Sequence, residues 1–305
     1  MMTEYKITIL AKTDIGLTRT HNEDNFIFCN DIADPKAWLK ENDQEPAALI
    51  PHSLGSLLVI ADGLGGVNAG EIASAIATKS VKNYFLTHVV KQEIPNEKKI
   101  EIHLKNAMHF ASGQIIQHSK KNPETTGMGT TLIIAWVIQY QLYIAWAGDS
   151  RAYLYRPSDG LIQISIDHSY VQDLVNKGSI TTEQAFYHPS KHIITQSLGD
   201  INHPIQPDFK KLQLKNGDCL LLCSDGLNGM LTDQEIEKII SIHYTNLKDC
   251  SDALVKAAKA AGGTDNITIA LADIGSSIKT IDSVQSRNEG LWNRFLNAAY
   301  GLVQR

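Results

Sequence analysis

The stretch TTLIIAWVIQYQLYIAWAGDSRAYLYR, residues 130–156, decides the fold. It holds three short apolar runs, Thr130–Ile138, Leu142–Ala147 and Ala152–Arg156. Each is rich in β-branched and aromatic residues and reads as a strand. Only a few residues separate the first two, the spacing of an antiparallel hairpin rather than of a crossover helix. Strands of the same kind fall on both sides: Tyr5–Leu10, Asn25–Phe28, Ser56–Ala61, Asp218–Cys223 and Asn266–Ala272. Helical periodicity occupies Gly70–Val90, Glu97–Ser119 after the break at Pro95, Asp233–Ile242 and Lys248–Ala261. Strands and helices do not alternate throughout, so a doubly wound parallel sheet is not expected. An α+β architecture of two antiparallel sheets with helix pairs outside fits the order better.

The chain has 305 residues, 43% of them hydrophobic and 20% charged. That is the make-up of a globular protein, not of a collagen-like, disordered or disulfide-scaffold chain. At this length about three quarters of the unfolded surface can be buried, so the core needs no staple. Thirty-three acidic against 28 basic residues leave a net charge of −5. A mildly acidic protein lacks the positive field that collects nucleic acid or anionic membranes, so neither is an expected partner. Cys29, Cys219, Cys223 and Cys250 form no zinc-ligand pattern and read as buried, reduced thiols. The N-terminus MMTEYKITIL has Glu4 and Lys6 where a signal peptide needs an apolar core, and Leu132–Ile138, the longest apolar run, is far shorter than a membrane span. A cytoplasmic location is therefore expected.

Three segments read as additions. Residues 31–54 are polar, carry Pro35, Pro46 and Pro51, and read as a surface excursion. Residues 166–200 read as a flap with a short helix near Ser169–Lys177. Beyond the domain, taken as 1–274, residues 275–305 read as a linker and an amphipathic helix, with Leu291, Trp292, Phe295, Leu296, Ala299, Leu302 and Val303 on one stripe. That stripe either packs on the parent domain or docks a partner.

Acidic residues gather where strands end. Glu23 and Asp24 close RTHNED before a strand; Asp62 and Gly63 follow LLVIA; Asp149 follows LYIAWAG; Asp225 follows CLLLCS; Asp265 precedes NITIALA. Any one of these reads most simply as a turn-forming aspartate. Together they describe carboxylates delivered to one place by rigid backbone. Such a cluster repels itself unless hard dications occupy it, and oxygen-only ligation selects Mg²⁺ or Mn²⁺ over zinc. Two such ions about 3.5–4 Å apart hold a bridging hydroxide for in-line attack on phosphorus. Arg19, in the loop of Glu23 and Asp24, offers a planar fork for phosphate oxygens.

In these pieces the chain resembles the PP2C-like, metal-dependent protein phosphatases (the PPM family), in their bacterial branch. The pieces are, in order, GLTRTHNED (16–24), IADGLGG (60–66), GMGTT (127–131), AGDSRAYLYR (147–156), DHS (167–169), CSDGL (223–227) and GGTDNIT (262–268), with His188-Pro189 in the flap. The likeness covers roughly residues 5–273. It implies a four-layer αββα sandwich and a metal-dependent serine/threonine phosphoprotein phosphatase acting through a metal-bridging hydroxide. By motif match, Asp62 bridges two Mn²⁺ or Mg²⁺ ions, Asp225 and Asp265 complete one shell, and the Gly63 carbonyl serves the other. Glu23 and Asp24 hold metal-bound waters, Asp149 shares a third ion with Asp225, and Arg19 binds the substrate phosphate. Substrates would be phosphoserine and phosphothreonine proteins, opposing a cognate Ser/Thr kinase.

Two departures stand out. Leu64 and Val67 replace histidines of relatives, and the histidine at the Leu64 position is thought to protonate the leaving alcohol, so a metal-bound water or another group must serve. Gly229 stands where animal relatives carry an acidic group near the third ion. His168, His188, His192 and His203 lie in or beside the flap without ligand spacing and read as solvated. Rival phosphatase patterns fail on single positions: a dehalogenase-type nucleophile needs a carboxylate where Leu64 stands, and a phosphate-binding loop needs a lysine that DGLGGVNAG lacks. The alternative of another class is a non-catalytic, phosphatase-like regulator that binds a phosphoprotein or partner through its tail.

Overall fold

The computed structural model describes residues 6–39, 48–65, 69–90 and 95–275. The C-terminal stripe from Leu291 and the position of Val67 lie outside the described residues. The chain runs β1 (Ile7–Asp14), β2 (Asn25–Cys29), β3 (Trp38–Leu39), β4 (Ala48–Leu49), β5 (Ser56–Ala61), β6 (Gly63–Leu64), α1 (Ala69–His88) and α2 (Glu97–Lys121). It continues through β7 (Gly129–Thr130), β8 (Leu132–Ile138), β9 (Gln141–Ala147), β10 (Arg151–Arg156), β11 (Gly160–Gln163), α3 (Tyr170–Asn176) and α4 (Thr182–Phe186). It closes with β12 (Asp208–Gln213), β13 (Cys219–Cys223), α5 (Asp225–Asn228), α6 (Asp233–His243), α7 (Leu247–Ala260) and β14 (Ile267–Ile274).

Two six-stranded sheets result, ordered β11-β10-β13-β14-β1-β4 and β12-β9-β8-β5-β2-β3, with β6 and β7 paired beside them. The strand pairs are antiparallel. The hairpin of residues 130–156 is the β8–β9 ladder, with Ile138 opposite Gln141. Its two-residue turn holds Gln139 at φ 53°, the left-handed backbone that tight hairpins use.

Period-two alternation explains the layers, because both faces of each central strand are covered. In β5, Leu58 and Ile60 point between the sheets, where they meet Phe28, Ile133 and Ile144. Leu57, Val59 and Ala61 point outward, toward Ala73, Ala77 and Phe85 of α1 and Leu104 of α2. On the other sheet Leu220 and Leu222 face inward, while Leu221 and Cys223 face Ile236, Ile240 and Leu254 of α6 and α7. The order helix, sheet, sheet, helix is the expected four-layer sandwich.

Helix starts are set by capping side chains. Asn96 accepts the Lys99 amide at α2, and Thr232 and Glu235 form a reciprocal box at α6. Residues 31–54 differ from a purely surface excursion. Ile32, Trp38 and Leu54 are buried, β3 and β4 extend the two sheet edges, and the Leu54 carbonyl accepts the Trp136 indole N–H at 2.7 Å. The polar residues of this segment conceal a few apolar anchors that pin it to the core.

Candidate metal centre

Register brings the acidic strand ends together. Asn25 of β2 lies opposite Ala61 of β5, so Asp24 and Asp62 leave neighbouring strands at the same end. Cys223 of β13 lies opposite Ile269 of β14, which aligns Asp225 with the approach to β14 that carries Asp265. Asp149 follows β9, whose Ala147 faces Leu132 of β8.

Short hydrogen bonds hold these ends. The Asp62 amide donates to Thr131 Oγ1 at 3.0 Å, and its carbonyl accepts from the Thr131 amide and the Thr130 hydroxyl, both at 2.8 Å. Thr131 Oγ1 lies 2.7 Å from Ser150 Oγ, next to Asp149. The Glu23 amide donates to Asn266 Oδ1 at 2.8 Å, and the Gly63 amide to the Glu23 carbonyl at 3.2 Å. A Cβ on Gly63 would stand 2.3 Å from the Gly70 carbonyl oxygen and 2.5 Å from that of Glu23, so only glycine passes here. Across the sheets, Ser224 Oγ donates to Asp24 Oδ2 at 2.7 Å.

The electrostatics are those of crowded carboxylates. Burial first, then neighbouring aspartates, raise Asp62 and Asp149 well above the usual carboxylate range. Asp62 feels Asp24, Asp225, Asp149 and Asp265; Asp149 feels Asp225 and Asp167. Burial pushes Asp24 up to about 7 and Asp225 to about 6, and Glu23 is raised for the same reason. Arg19 is raised chiefly by its bond to Asp265, Nη2 to Oδ2 at 2.8 Å.

All the predicted side chains thus interact within one region. Among the described residues no three ligating side chains close around one point. Asp24 and Asp265 are instead engaged by Ser224 and Arg19. The donor set still fits hard dications: it is oxygen-only, its members raise one another's pKa values, and such ions keep several waters rather than needing an all-protein cage. Arg19, expected to bind the substrate phosphate, is here the partner of Asp265.

Several residues that build the centre carried no role in the sequence reading. Thr131, Ser224 and Asn266 sit inside quoted motifs, GMGTT, CSDGL and GGTDNIT, and their hydroxyl or amide groups at strand ends were the available signal. Arg151 is another: it binds Asp167 through Nε and Nη2 at 2.8 and 2.7 Å and the Tyr153 hydroxyl at 3.0 Å, fastening the base of the flap. Of the four flap histidines, His192 and His203 are exposed as expected, whereas His168 and His188 are partly buried. His168 stacks on Trp146 and accepts the Gly148 amide, His188 accepts the Ser190 amide, and His192 lies near enough to Asp225 to offset a small part of that acid's rise. The four cysteines are free and buried, and burial lifts Cys29 and Cys250 up to about 12, so they are inert thiols. No helix among the described residues is long and apolar enough to cross a membrane.

Comparison with known proteins gives a consistent result. The family model for protein phosphatase 2C matches residues 43–267. The chain is similar to the serine/threonine phosphatase stp of Listeria innocua, 32% identical over 262 residues that cover 86% of this chain and 94% of that protein. It is similar to protein phosphatase PhpP of Streptococcus pneumoniae, 34% identical over 86% of this chain and 95% of that one. Among solved structures, the S. agalactiae serine/threonine phosphatase superposes with a TM-score of 0.73 at 29% identity, covering 88% of this chain and 99% of that one. The catalytic domain of the phosphatase PstP, solved with two manganese ions, gives a TM-score of 0.70 at 30% identity over 89% of this chain and 100% of that one.

Proposed function

This chain belongs to the protein phosphatase 2C family and is a serine/threonine phosphatase, and on that premise we propose that it hydrolyses phosphoserine and phosphothreonine in proteins with Mn²⁺ or Mg²⁺ as cofactor. The observation that carries the metal dependence is the packing of Asp62, Asp225, Asp149 and Asp24 into one another's field, each raised above its ordinary range. Asp62, Asp225 and Asp265, with the Gly63 carbonyl, would hold two ions; Asp149 with Asp225 would hold a third, and Glu23 and Asp24 would act through waters. When bound, such ions act as Lewis acids on the phosphoryl oxygens and acidify the attacking water.

The chain's own residues supply orientation. The Thr130 and Thr131 bonds fix the Asp62 backbone, so its carboxylate departs from a fixed point at the strand end. Arg19 is 48% exposed, and a guanidinium has five donors in a fixed fork. The group bound to Asp265 therefore keeps donors for the non-bridging oxygens of a phosphate. Leu64 has no proton to give, so the leaving alkoxide takes its proton from water in the cleft or from another side chain.

We place the reaction in the cytoplasm, opposite a Ser/Thr kinase; the free, buried cysteines accord with a reducing compartment. The carboxylates that a non-catalytic regulator would dispense with, Asp62, Asp225 and Asp265, are all present. The test is hydrolysis of a phosphothreonine peptide with Mn²⁺ titrated against EDTA. Turnover that requires Mn²⁺ and stops on chelation is expected; turnover indifferent to EDTA would remove the metal from the reading.

A further inference from the structure

Beside the centre lies a cleft of about 630 Å³ that none of its carboxylates lines. One wall is the end of α4, with Phe186 and the exposed Tyr187; the other is α6, with Lys238. Its floor, Gly229 and Met230, belongs to the metal centre's own scaffold. The Gly229 amide donates to the Asp225 carbonyl at 2.6 Å, and Thr264, next to Asp265, donates its hydroxyl to Met230 Sδ at 3.6 Å.

Lys191 and Lys238 both bring positive charge to the cleft, and Lys191 is the one anchored at its floor. The half-buried Lys191 ammonium donates to the Gly229 carbonyl at 3.1 Å and sits 5.1 Å from the Phe186 ring centroid. An ammonium has three donors, and among the described residues no carboxylate pairs with this one. Glu235, the acid on the same rim, is committed elsewhere: its Oε2 accepts the Thr232 amide and hydroxyl, both at 2.8 Å. In a chain of net charge −5, this leaves a cation in an aromatic-walled cleft with donors to spare.

We propose that this cleft is the subsite for an acidic residue flanking the phosphorylated serine or threonine, with Lys191 receiving its carboxylate. The inference rests on the phosphatase reading above and names part of its substrate preference. The four residues of α5 rise about 6 Å between Asp225 and the floor. An extended peptide covers about 3.3–3.6 Å per residue, so the acid stands about two positions from the phosphoresidue. Phe186 supports the arrangement by facing the Lys191 ammonium with its ring, which keeps the cation aimed rather than free in solvent.

The experiment compares two phosphothreonine peptides that differ only in Glu or Gln two residues from the phosphothreonine, tested on each side. The readout is the ratio of their kcat/KM values in the wild type, Lys191→Met and Lys191→Arg proteins. Turnover of the Gln peptide by the wild type tests the phosphatase reading by itself. Given that turnover, the wild type should prefer the Glu peptide by about tenfold, chiefly through KM. Lys191→Met should bring the ratio to one and Lys191→Arg should retain most of it. A wild-type ratio of one on both sides, or a preference that survives in Lys191→Met, overturns the subsite.

Discussion

Ser224 donates its hydroxyl to Asp24 at 2.7 Å, joining the end of β13 in one sheet to the start of β2 in the other across 200 residues of sequence. The same oxygen accepts the Thr268 amide at 2.9 Å, and the Ser224 amide returns a bond to the Thr268 carbonyl at 2.9 Å. One buried serine therefore registers the two sheets at the place where their carboxylates meet. Ser224→Ala leaves a buried acid and a buried amide short of a partner, which costs about 1–3 kcal/mol. Urea unfolding should show that loss as a lower midpoint with an unchanged slope. A midpoint equal to the wild type would mean that the bond does not organise the centre.

Removing a carboxylate should separate activity from stability. Asp62 is held above the usual range by burial and then by Asp24, Asp225, Asp149 and Asp265. Asp62→Asn deletes a charge that its neighbours oppose. In EDTA its melting temperature should equal or exceed that of the wild type, while turnover with Mn²⁺ falls by orders of magnitude. A variant that both melts early in EDTA and retains turnover would show that Asp62 serves the fold and not the reaction.

How legible an element is in the sequence depends on its burial. β5 is apolar along its length because α1 covers one face and the opposing sheet the other, so Ser56–Ala61 was readable to the residue. β12 carries no such signal, because DFKKLQ is an edge strand with only Phe209 and Leu212 partly covered, and its ladder to β9 is made of backbone. The same holds for β3 and β4, too short to show any period, whose place is set by pairing with β2 and β1. In the centre, the carboxylates stood out because each ends an apolar run. Thr131, Ser224 and Asn266 did not, since a hydroxyl or amide in a turn looks like turn chemistry until the other sheet supplies its partner.

The pH dependence of stability follows from two buried aspartates, Asp24 and Asp225. Burial, ahead of the opposing bonds from Ser224 and Thr268, holds Asp24 up to about 7; burial and Asp265 hold Asp225 at about 6. In the unfolded chain both titrate near the ordinary aspartate value of about 3.9. Between roughly pH 4 and pH 7 the folded protein thus binds more protons than the unfolded chain. Its stabilisation from these groups is complete below that window and is lost as pH rises through it. In EDTA the urea midpoint should be lower at pH 7.5 than at pH 5, and Asp24→Asn should flatten the slope. Added Mn²⁺ should raise the midpoint more at pH 7.5, because the ligands bind deprotonated. A midpoint in EDTA that rises with pH and is insensitive to Asp24→Asn would contradict the crowding of these acids.

Arg19 offers the sharpest contrast between an interaction that is visible and one that matters. Its bond to Asp265 is 2.8 Å long, but the two side chains are 48% and 30% exposed, so solvent screens the pair. A pair of that kind contributes no more than about 1 kcal/mol, and Arg19→Ala should leave the urea midpoint nearly unchanged. The cost should appear in catalysis, because the guanidinium offers a planar set of donors to the phosphate while an ammonium offers a point charge. Steady-state kinetics on a phosphothreonine peptide should show KM raised and kcat/KM reduced in Arg19→Ala, with Arg19→Lys between it and the wild type. If Arg19→Lys matched the wild type, charge alone would suffice and the planar fork would have no part in holding the phosphate. If Arg19→Ala instead unfolded at low urea with KM unchanged, the arginine would belong to the scaffold of Asp265.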